Sequence, residues 1–373
     1  MAGVLFYVSG HGFGHASRTI EVINALAALR PDLALALRTG ASRWLCELTL
    51  TAPVAISTVT TDIGVVQIDA LRPDVEATLE RARAFYAERE ALVEREAQAI
   101  DAAGASLVVS DVPPVAFAAA ERAGVPSIAI SNFTWDWIYA DYERALELSA
   151  EVSSLCRDWQ SRADEGWRLP MHGGFEGIHS LRDLPLVARR SRHPRAAVRK
   201  RLGWPDDRPV VLTSFGGVGM KQLPLERAAA DGRLLVVGCA EPVSETAGAP
   251  LCTIAGGVAL LNERRLYTDG LRYEDVVAAV DVVVTKPGYG IIAECAANGA
   301  ALLYTSRGRF AEYDVLVSQM PRWLRTRFIE QDALFAGDWS AEVEALLTQP
   351  PAPEQPRVDG ADTAARWLAA RLS

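Results

Sequence analysis

The sequence has few cysteines, few lysines and no long apolar run. Its five cysteines are scattered and form no Cys-x-x-Cys pair, which argues against a zinc site and favours a reducing compartment. No apolar run approaches the roughly 20 residues that a membrane-spanning helix needs. An apolar strand begins at Gly3, so we expect no signal peptide and a cytoplasmic location.

The charge balance excludes a further group of functions. A net charge of −9 argues against non-specific binding to nucleic acid and gives no attraction to anionic lipid. Only three of the 38 basic residues are lysines, namely Lys200, Lys221 and Lys286. This bias singles out Lys286, which stands at the head of a glycine turn, as a candidate for function instead of an ordinary surface lysine.

The length of 373 residues, half of them apolar, is enough for two domains with separate cores. We place the first domain at residues 1–188, a basic linker at 189–208 and the second domain at 209–373. Each domain opens with an apolar strand, a glycine turn and a helix. The last predicted helix, residues 364–372, is a candidate to pack back on the first domain.

The most informative stretch is Thr-Lys-Pro-Gly-Tyr-Gly at residues 285–290. It follows a β-branched run at 281–284, which is typical of a buried parallel strand, and precedes a predicted helix at 291–298. The first N–H groups of a helix lack internal partners, and the helix dipole favours an anion there. The glycines allow a phosphate to approach the backbone, and Glu294 is within reach of a sugar hydroxyl. The pattern favours a nucleoside diphosphate site, although glycine is also common at ordinary strand-to-helix turns.

A second glycine loop, at residues 10–18, joins the first strand to the first helix. It is neither the dinucleotide fingerprint nor a P-loop, since the acidic residue of the former and the Gly-Lys-Ser/Thr of the latter are missing. His15 falls at the first helical turn, where a positive charge is unfavourable, so we expect a neutral ring that can accept a proton. His11 is the second candidate base. Alternatively, these histidines cap the helix or pack beneath the loop.

Polar side chains follow several other predicted strands, at the edge where open α/β sheets bind ligands. In the first domain Asp111 follows the strand at 107–110. A strand at 126–130 leads to Asn132 and Trp135, which suit a sugar or ring, although Trp135 can equally pack on the next helix. The candidates for contact with a hydroxyl-rich substrate are Asp62, Gln67, Asp69, Asn132 and Trp135.

The whole chain resembles glycosyltransferases of the GT-B fold, the branch that includes the MurG-type N-acetylglucosaminyltransferases. The most specific parts are the loop at 9–15 and the segment 281–307. The segments SGHGFGHASR and, later, DVPP also look like the glycosyltransferase-like amino-terminal half of plant arabinose kinases. No sugar-kinase domain follows in this sequence, so we do not carry over kinase activity. The resemblance implies an α/β protein with two Rossmann-like, doubly wound domains that face a cleft.

The resemblance also implies roles for individual residues. The second domain would hold a nucleotide-sugar donor, with the ribose on Glu294 and the sugar near Glu312 and Asp314, where relatives often carry Asp-Gln. His15 would be the general base, with His11 and Asp111 as further catalytic candidates. The implied donor-binding set is Gly14, Gly216, Gly217, Lys286, Gly288, Tyr289, Gly290, Glu294, Arg307, Glu312 and Asp314.

The expected reaction is a single displacement with inversion at the anomeric carbon, without a metal or another cofactor, because no Asp-x-Asp motif stands in a suitable place. The resemblance favours a uridine diphosphate sugar as donor; the acceptor hydroxyl is not identified. Two alternatives remain: a sugar-nucleotide epimerase of the same architecture, using Asp111, Glu312 and Asp314, and a nucleotide-sugar-binding protein without activity. Residues 135–139 are the candidate for peripheral contact with a membrane.

Overall fold

The computed structural model describes residues 3–216, 220, 223–239 and 250–372. These residues form two seven-stranded sheets with helices on both faces. The strands of the first sheet are β1 (Gly3–Val8), β2 (Ala34–Thr39), β3 (Ala55–Thr58), β4 (Ala105–Asp111), β5 (Ser127–Phe133), β6 (Glu165–Gly173) and β7 (Leu181–Asp183). Its helices are α1 (Phe13–Leu29), α2 (Arg43–Thr49), α3 (Val75–Tyr86), α4 (Arg89–Ala102), α5 (Val115–Ala123), α6 (Trp135–Ala145) and α7 (Glu151–Gln160).

The second half begins with helix α8 (Arg195–Leu202). Its strands are β8 (Val210–Ser214), β9 (Leu235–Cys239), β10 (Cys252–Ala255), β11 (Val258–Leu261), β12 (Val282–Thr285), β13 (Ala301–Tyr304) and β14 (Thr326–Phe328). Its further helices are α9 (Leu225–Ala229), α10 (Glu263–Thr268), α11 (Tyr273–Ala279), α12 (Tyr289–Asn298), α13 (Tyr313–Gln319), α14 (Gln331–Ala336), α15 (Ser340–Leu347) and α16 (Gly360–Arg371), with a 3-10 turn at Met320–Arg322.

Both sheets are doubly wound. Their strand orders are β3-β2-β1-β4-β5-β6-β7 and β10-β11-β9-β8-β12-β13-β14, and all pairs are parallel except β10 with β11. The central strands β1 and β12 are buried along their whole length, as expected for apolar strands covered by helices on both faces. The order reverses between β1 and β4 and between β8 and β12, and ligands bind at such points in open α/β sheets. The predicted fold class is therefore confirmed.

Two segments cross between the halves. Helix α16 returns to the first sheet, where Ala364 and Leu368 join the core beside α1, and Trp367 meets Trp167 edge to face with ring centroids 5.3 Å apart. In the opposite direction, the loop at residues 59–74 places Leu71 in the core of the second sheet. The carbonyl of Leu71 accepts a hydrogen bond from Gly308 N at 2.7 Å. The edges that carry the glycine turns are thereby held face to face. No helix in the described part of the chain is both long and apolar enough to cross a membrane.

Candidate functional site between the two sheets

The loop after β1 separates a packing glycine from two glycines that border open space. A Cβ on Gly10 would come within 2.8 Å of the carbonyl carbon of Gly40, so two backbones require this glycine. Around Gly12 and Gly14, no described atom lies within 4 Å of the position that a Cβ would take. Gly12 also has φ +73°, a conformation that glycine adopts readily. The loop therefore presents the start of α1, with its unpaired N–H groups, to an uncrowded space.

His15 lies in the first turns of α1 and contacts a buried carboxylate. Its Nδ1 is 3.0 Å from Asp111 Oδ1, at the end of β4, and its ring packs edge to face on Phe133. Arg18, one turn further along α1, donates from Nε to Asp111 Oδ2 at 2.6 Å and from Nη2 to Oδ1. The Thr19 hydroxyl donates to the same Oδ2 at 3.0 Å. The carboxylate of Asp111 is thus surrounded by donors.

The surroundings of Asp111 keep its carboxylate charged. Burial alone would raise the pKa of this carboxyl, but the charge of Arg18, the neighbouring His15 and their hydrogen bonds hold the pKa well below its usual range. Nδ1 of His15 also lies 2.8 Å from Arg18 Nη2, so Asp111 and Arg18 meet the same ring nitrogen. In the tautomer with the proton on Nδ1, which donates to Asp111, Nε2 is the proton-accepting atom. His15 is 7% exposed. The contact with Asp111 therefore fixes the orientation of the His15 ring.

His11 lies in the same loop but has a different environment. Its Nδ1 accepts a hydrogen bond from Val65 N at 3.3 Å, and its ring meets Trp135 edge to face. Burial, together with the nearby His15 and Lys286, lowers the pKa of His11 to about 3. A neutral imidazole that accepts at Nδ1 carries its proton on Nε2. His11 is consequently placed to donate a hydrogen bond rather than to take up a proton.

The turn between β12 and α12 forms the opposite wall. No described atom lies within 4 Å of the position of a Cβ on Gly288, while a Cβ on Gly290 would lie 3.7 Å from the Cα of Gly14. The starts of α1 and α12 thus approach each other closely at Gly14 and Gly290, while the position beside Gly288 stays uncrowded. Tyr289, the first residue of α12, stacks on Phe133 with ring centroids 5.8 Å apart. Its hydroxyl is buried and has no hydrogen-bond partner among the described residues.

Two basic side chains line this second wall. Lys286 is partly buried, and its ammonium group forms neither an ion pair nor a hydrogen bond with any described residue, while its backbone carbonyl accepts a hydrogen bond from the Thr285 hydroxyl at 3.0 Å. Burial and the charge of Arg307 lower the pKa of Lys286 to about 7, although Glu312 opposes this change. Arg307 Nη1 is 3.3 Å from Glu312 Oε1, and its Nε is buried without a partner in the described part of the chain. Asp314, on α13, is exposed.

Glu294 on α12 is held by a residue of the linker. Its Oε1 accepts a hydrogen bond from Arg189 Nε at 2.6 Å, and Arg189 Nη1 lies 3.5 Å from Glu274 Oε2. Burial raises the pKa of Glu294, and the charge of Arg189 opposes that change. The sequence singles out Glu294 but not Arg189, which falls in the predicted basic linker at 189–208 without a pattern that links it to Glu294. One oxygen of Glu294 is therefore occupied before any ligand binds.

The other expected donor residues lie at the strand ends of the second sheet. Gly216, just beyond β8, is exposed with φ +80°, and no described atom lies within 4 Å of the position of its Cβ. Gly217 lies outside the described residues.

Several expected acceptor residues support the first wall instead of lining open space. Trp135 is 1% exposed, so the expectation of a free stacking face is wrong: its ring stacks on Tyr139, and its Nε1 donates to Asp62 at 2.7 Å. Asn132 accepts a hydrogen bond from Arg18 Nη1 and donates to the Pro170 carbonyl.

The remaining two candidates belong to the loop at 59–74. Asp69 accepts hydrogen bonds from the backbone N–H groups of Leu71 and Arg72 at 2.8 and 2.9 Å, so it stabilises its own turn. Gln67 pairs through its backbone with Pro73. Within residues 3–216, 220, 223–239 and 250–372, no three His, Cys, Asp or Glu side chains converge as metal ligands would.

Two facing doubly wound sheets with glycine turns across a narrow cleft define the GT-B fold of glycosyltransferases. Three solved structures match nearly the whole chain: the glycotransferase of kitacinnamycin (TM-score 0.60, 17% identity, 99% of this chain and 97% of that one), the calicheamicin glycosyltransferase CalG4 (0.62, 15%, 100% and 98%), and Phytolacca americana UGT2 complexed with UDP-2-fluoroglucose and pterostilbene (0.58, 12%, 99% and 94%). The GT-B fold that the sequence resemblance implied is confirmed.

Among curated proteins, the chain is 32% identical over 368 residues to the L-arabinokinase of Arabidopsis thaliana. The match covers 97% of this chain and 34% of that protein, so the chain spans about a third of the length of its relative. The predicted similarity to plant arabinose kinases is thereby confirmed. No protein-family model matches the chain.

Proposed function

We propose that the protein is a glycosyltransferase that moves a sugar from a nucleotide-sugar donor, held by the second half, to a hydroxyl of an acceptor held by the first half. One observation carries the proposal. The starts of α1 and α12 meet at Gly14 and Gly290. On one side lie the Lys286 ammonium and Arg307 Nε, which have no partner among the described residues, and on the other lies His15.

The charge of the donor suits the uncrowded space beside Gly288. A diphosphate there would meet the backbone N–H groups at the start of α12 and the positive end of its dipole, with the start of α1 close by. Lys286 lies at the head of the α12 turn and lacks an anionic partner among the described residues, so it suits the phosphate nearest the sugar. Glu294, whose second oxygen is not used by Arg189, suits the ribose hydroxyls. The bound UDP-2-fluoroglucose of the Phytolacca relative favours uridine diphosphate as the nucleotide.

The reaction then follows from the two walls. The acceptor oxygen attacks the anomeric carbon while its proton passes to Nε2 of His15. The bond between the anomeric carbon and the phosphate oxygen breaks, and its electron pair leaves with the nucleoside diphosphate. The helix starts and Lys286 stabilise the charge that develops on the leaving oxygen, so the proposed transfer needs no metal. A single displacement inverts the anomeric configuration.

The two rival reactions, epimerisation and phosphoryl transfer, fit the observed contacts less well than sugar transfer does. An epimerase needs carboxylates free around the sugar ring, but Asp111 is bound by Arg18 and Glu312 by Arg307, while Asp314 is exposed. The loop after β1 lacks the Gly-Lys-Ser/Thr of a P-loop, so it offers no P-loop site for phosphoryl transfer. Transfer of a sugar is therefore the reaction that these contacts support best.

Calorimetric titration with UDP, dTDP, GDP and ADP, with and without magnesium, tests the donor site. We expect one nucleotide to bind selectively and without a need for magnesium. K286M should weaken that binding, whereas K200M, the same substitution at an exposed lysine of α8, should not. If none of the four nucleotides binds, the proposal fails.

A second step distinguishes transfer from binding alone. The sugar nucleotides of the selected base are incubated with the protein, and release of nucleoside diphosphate is followed by phosphorus NMR. Slow hydrolysis by water, abolished in H15Q with nucleotide binding retained, is the expected result. Tight binding without turnover for every sugar tested would leave a nucleotide-sugar-binding protein, and a changed sugar still attached to the nucleotide would indicate an epimerase.

A further inference from the structure

We propose that Arg18 is a positioning residue that keeps the His15–Asp111 pair free of an extra proton, so that the pair can accept the proton of the acceptor hydroxyl. The inference rests on the proposed function only in taking His15 as the proton acceptor. The mechanism above makes no use of Arg18, although its guanidinium is 9% exposed and forms a larger set of contacts with Asp111 than His15 does.

The first argument is geometric. Arg18 follows His15 by three residues on α1, so the two side chains lie on the same face of the helix. Its Nε and Nη2 bind both oxygens of Asp111, and Nη1 donates to Asn132 Oδ1. Asn132 is itself fixed by its hydrogen bond to the Pro170 carbonyl at 2.7 Å. The guanidinium is thereby clamped between the ends of β4 and β5, in the forked geometry that only arginine provides.

The second argument is the charge of the buried group. Arg18, Asp111 and a neutral His15 together carry no net charge, and a proton added to them leaves one uncompensated positive charge in a buried site. Without Arg18, the same pair carries one uncompensated negative charge, which a proton would neutralise. Burial of a net charge is costly, so the arginine decides which state of the pair is favoured.

The groups that face the pair from neighbouring elements do not replace this charge. His11, from the loop after β1, is kept neutral by burial, which lowers its pKa. Asp62, from the loop after β3, is driven towards its neutral form, since burial raises its pKa. Tyr289, from α12, also has its pKa raised by burial and stays neutral. The guanidinium of Arg18 is the permanent cation in contact with Asp111.

The consequence concerns the pair as a unit, because the protons of strongly coupled groups belong to the pair. With Arg18 present, the pair takes up its proton only at a lower pH or when the acceptor delivers it. During transfer the acceptor O–H bond breaks, an N–H bond forms at Nε2, and the proton leaves to solvent after product release. Without Arg18, a proton from solvent would occupy Nε2 of His15 before the acceptor arrives.

Nitrogen-15 NMR of the imidazole rings tests the inference without any nucleotide. The chain has only five histidines, and the signals that vanish in H15Q identify His15. The wild type, R18M, R18K and T19V are compared across about pH 5 to 9. T19V is the matched control, since it removes a hydrogen bond to the same Asp111 oxygen but no charge.

In R18M we expect proton uptake by the pair, read at the His15 nitrogens, to begin at a pH higher by at least about one unit than in the wild type, the effect of one neighbouring charge. R18K should return the pH of proton uptake most of the way to the wild-type value. T19V should shift that pH less than R18M does. If R18M does not fold, R18Q provides a second uncharged variant.

Equal behaviour of the wild type, R18M and T19V would overturn the inference and leave Arg18 a merely structural residue. Once a donor is found, the acid limb of the profile of kcat/KM against pH must move with the NMR transition. Failure of nucleotide binding would refute the proposed transferase but would not alter the NMR result, so the two failures are distinguishable.

Discussion

The strongest quantitative prediction concerns Lys286 and the pH dependence of nucleotide binding. Burial lowers the pKa of this lysine from 10.5 to about 7. A bound diphosphate supplies the missing negative charge, so the pKa must rise again in the complex. Binding above neutral pH is then coupled to the uptake of a proton by Lys286, and the affinity falls as the pH rises.

The size of the effect follows from linkage. Between about pH 7 and the raised pKa of the complex, affinity falls by up to about tenfold for each pH unit. Half of the lysine is already deprotonated at about pH 7, so the loss from about pH 7 to about pH 9 is roughly 50-fold, or about 2.3 kcal/mol of binding free energy. A terminal phosphate has a second pKa of about 6, so it is already fully charged across this interval and contributes no slope of its own.

Calorimetry measures both the slope and the proton. Titrations of the nucleotide in two buffers with different ionisation enthalpies should show uptake of nearly one proton at about pH 8. K200M should give the wild-type slope, and K286M should bind weakly with an affinity that no longer changes above neutral pH. An affinity of the wild type that stays constant over this interval, or an unchanged slope in K286M, would refute the assignment of Lys286 as the cation for the phosphate.

Three further predictions test the walls of the cleft. G10A should destabilise the fold by roughly 1–3 kcal/mol in chemical denaturation, because a Cβ there meets a second backbone; G14A should leave stability within about 1 kcal/mol but weaken nucleotide binding, and equal effects would contradict the distinction. Y289F removes a buried hydroxyl without a partner among the described residues, so melting should show stability unchanged or higher by up to about 1 kcal/mol; a clear loss would reveal a missed partner. L71A should cost about 2–5 kcal/mol, since Leu71 fills the core of the second sheet; a cost below about 1 kcal/mol would mean that the loop is not anchored.

The fold and the edge where the site lies were predictable from local pattern. Apolar β-branched runs before glycine turns identify β1 and β12, and parallel strands bring their carboxyl ends to one edge. Helix bounds are harder to derive: a charged, alanine-rich run such as 74–102 is typical of one helix, but the structure has two, α3 and α4, separated at Ala87 and Glu88. The pattern alone gives no strong signal for that break.

Contacts between distant residues were not predictable in the same way. Arg18 meets Asp111 because β1 and β4 pair with Val8 opposite Asp111, a register that no local pattern encodes. One sequence pattern could have indicated the contact: Arg18 follows the candidate base His15 by three residues on the same predicted helix. Trp135 was misread for a related reason: an aromatic ring at a strand end suits a ligand, yet Asp62 provides a buried partner for its N–H.

The chain passes between the halves twice, after β7 and again on its way into α16, and these two segments meet each other, which restricts how the molecule can move. Leu186 N donates to the Arg357 carbonyl at 3.1 Å, Gly360 N donates to the Leu186 carbonyl at 3.0 Å, and a Cβ on Gly360 would lie 2.3 Å from the Pro185 oxygen. The halves are therefore joined along a short line instead of at a single point. Such a joint permits rotation about that line and resists twist or shear, and a proteolytic cut in one segment would leave the halves attached through the other.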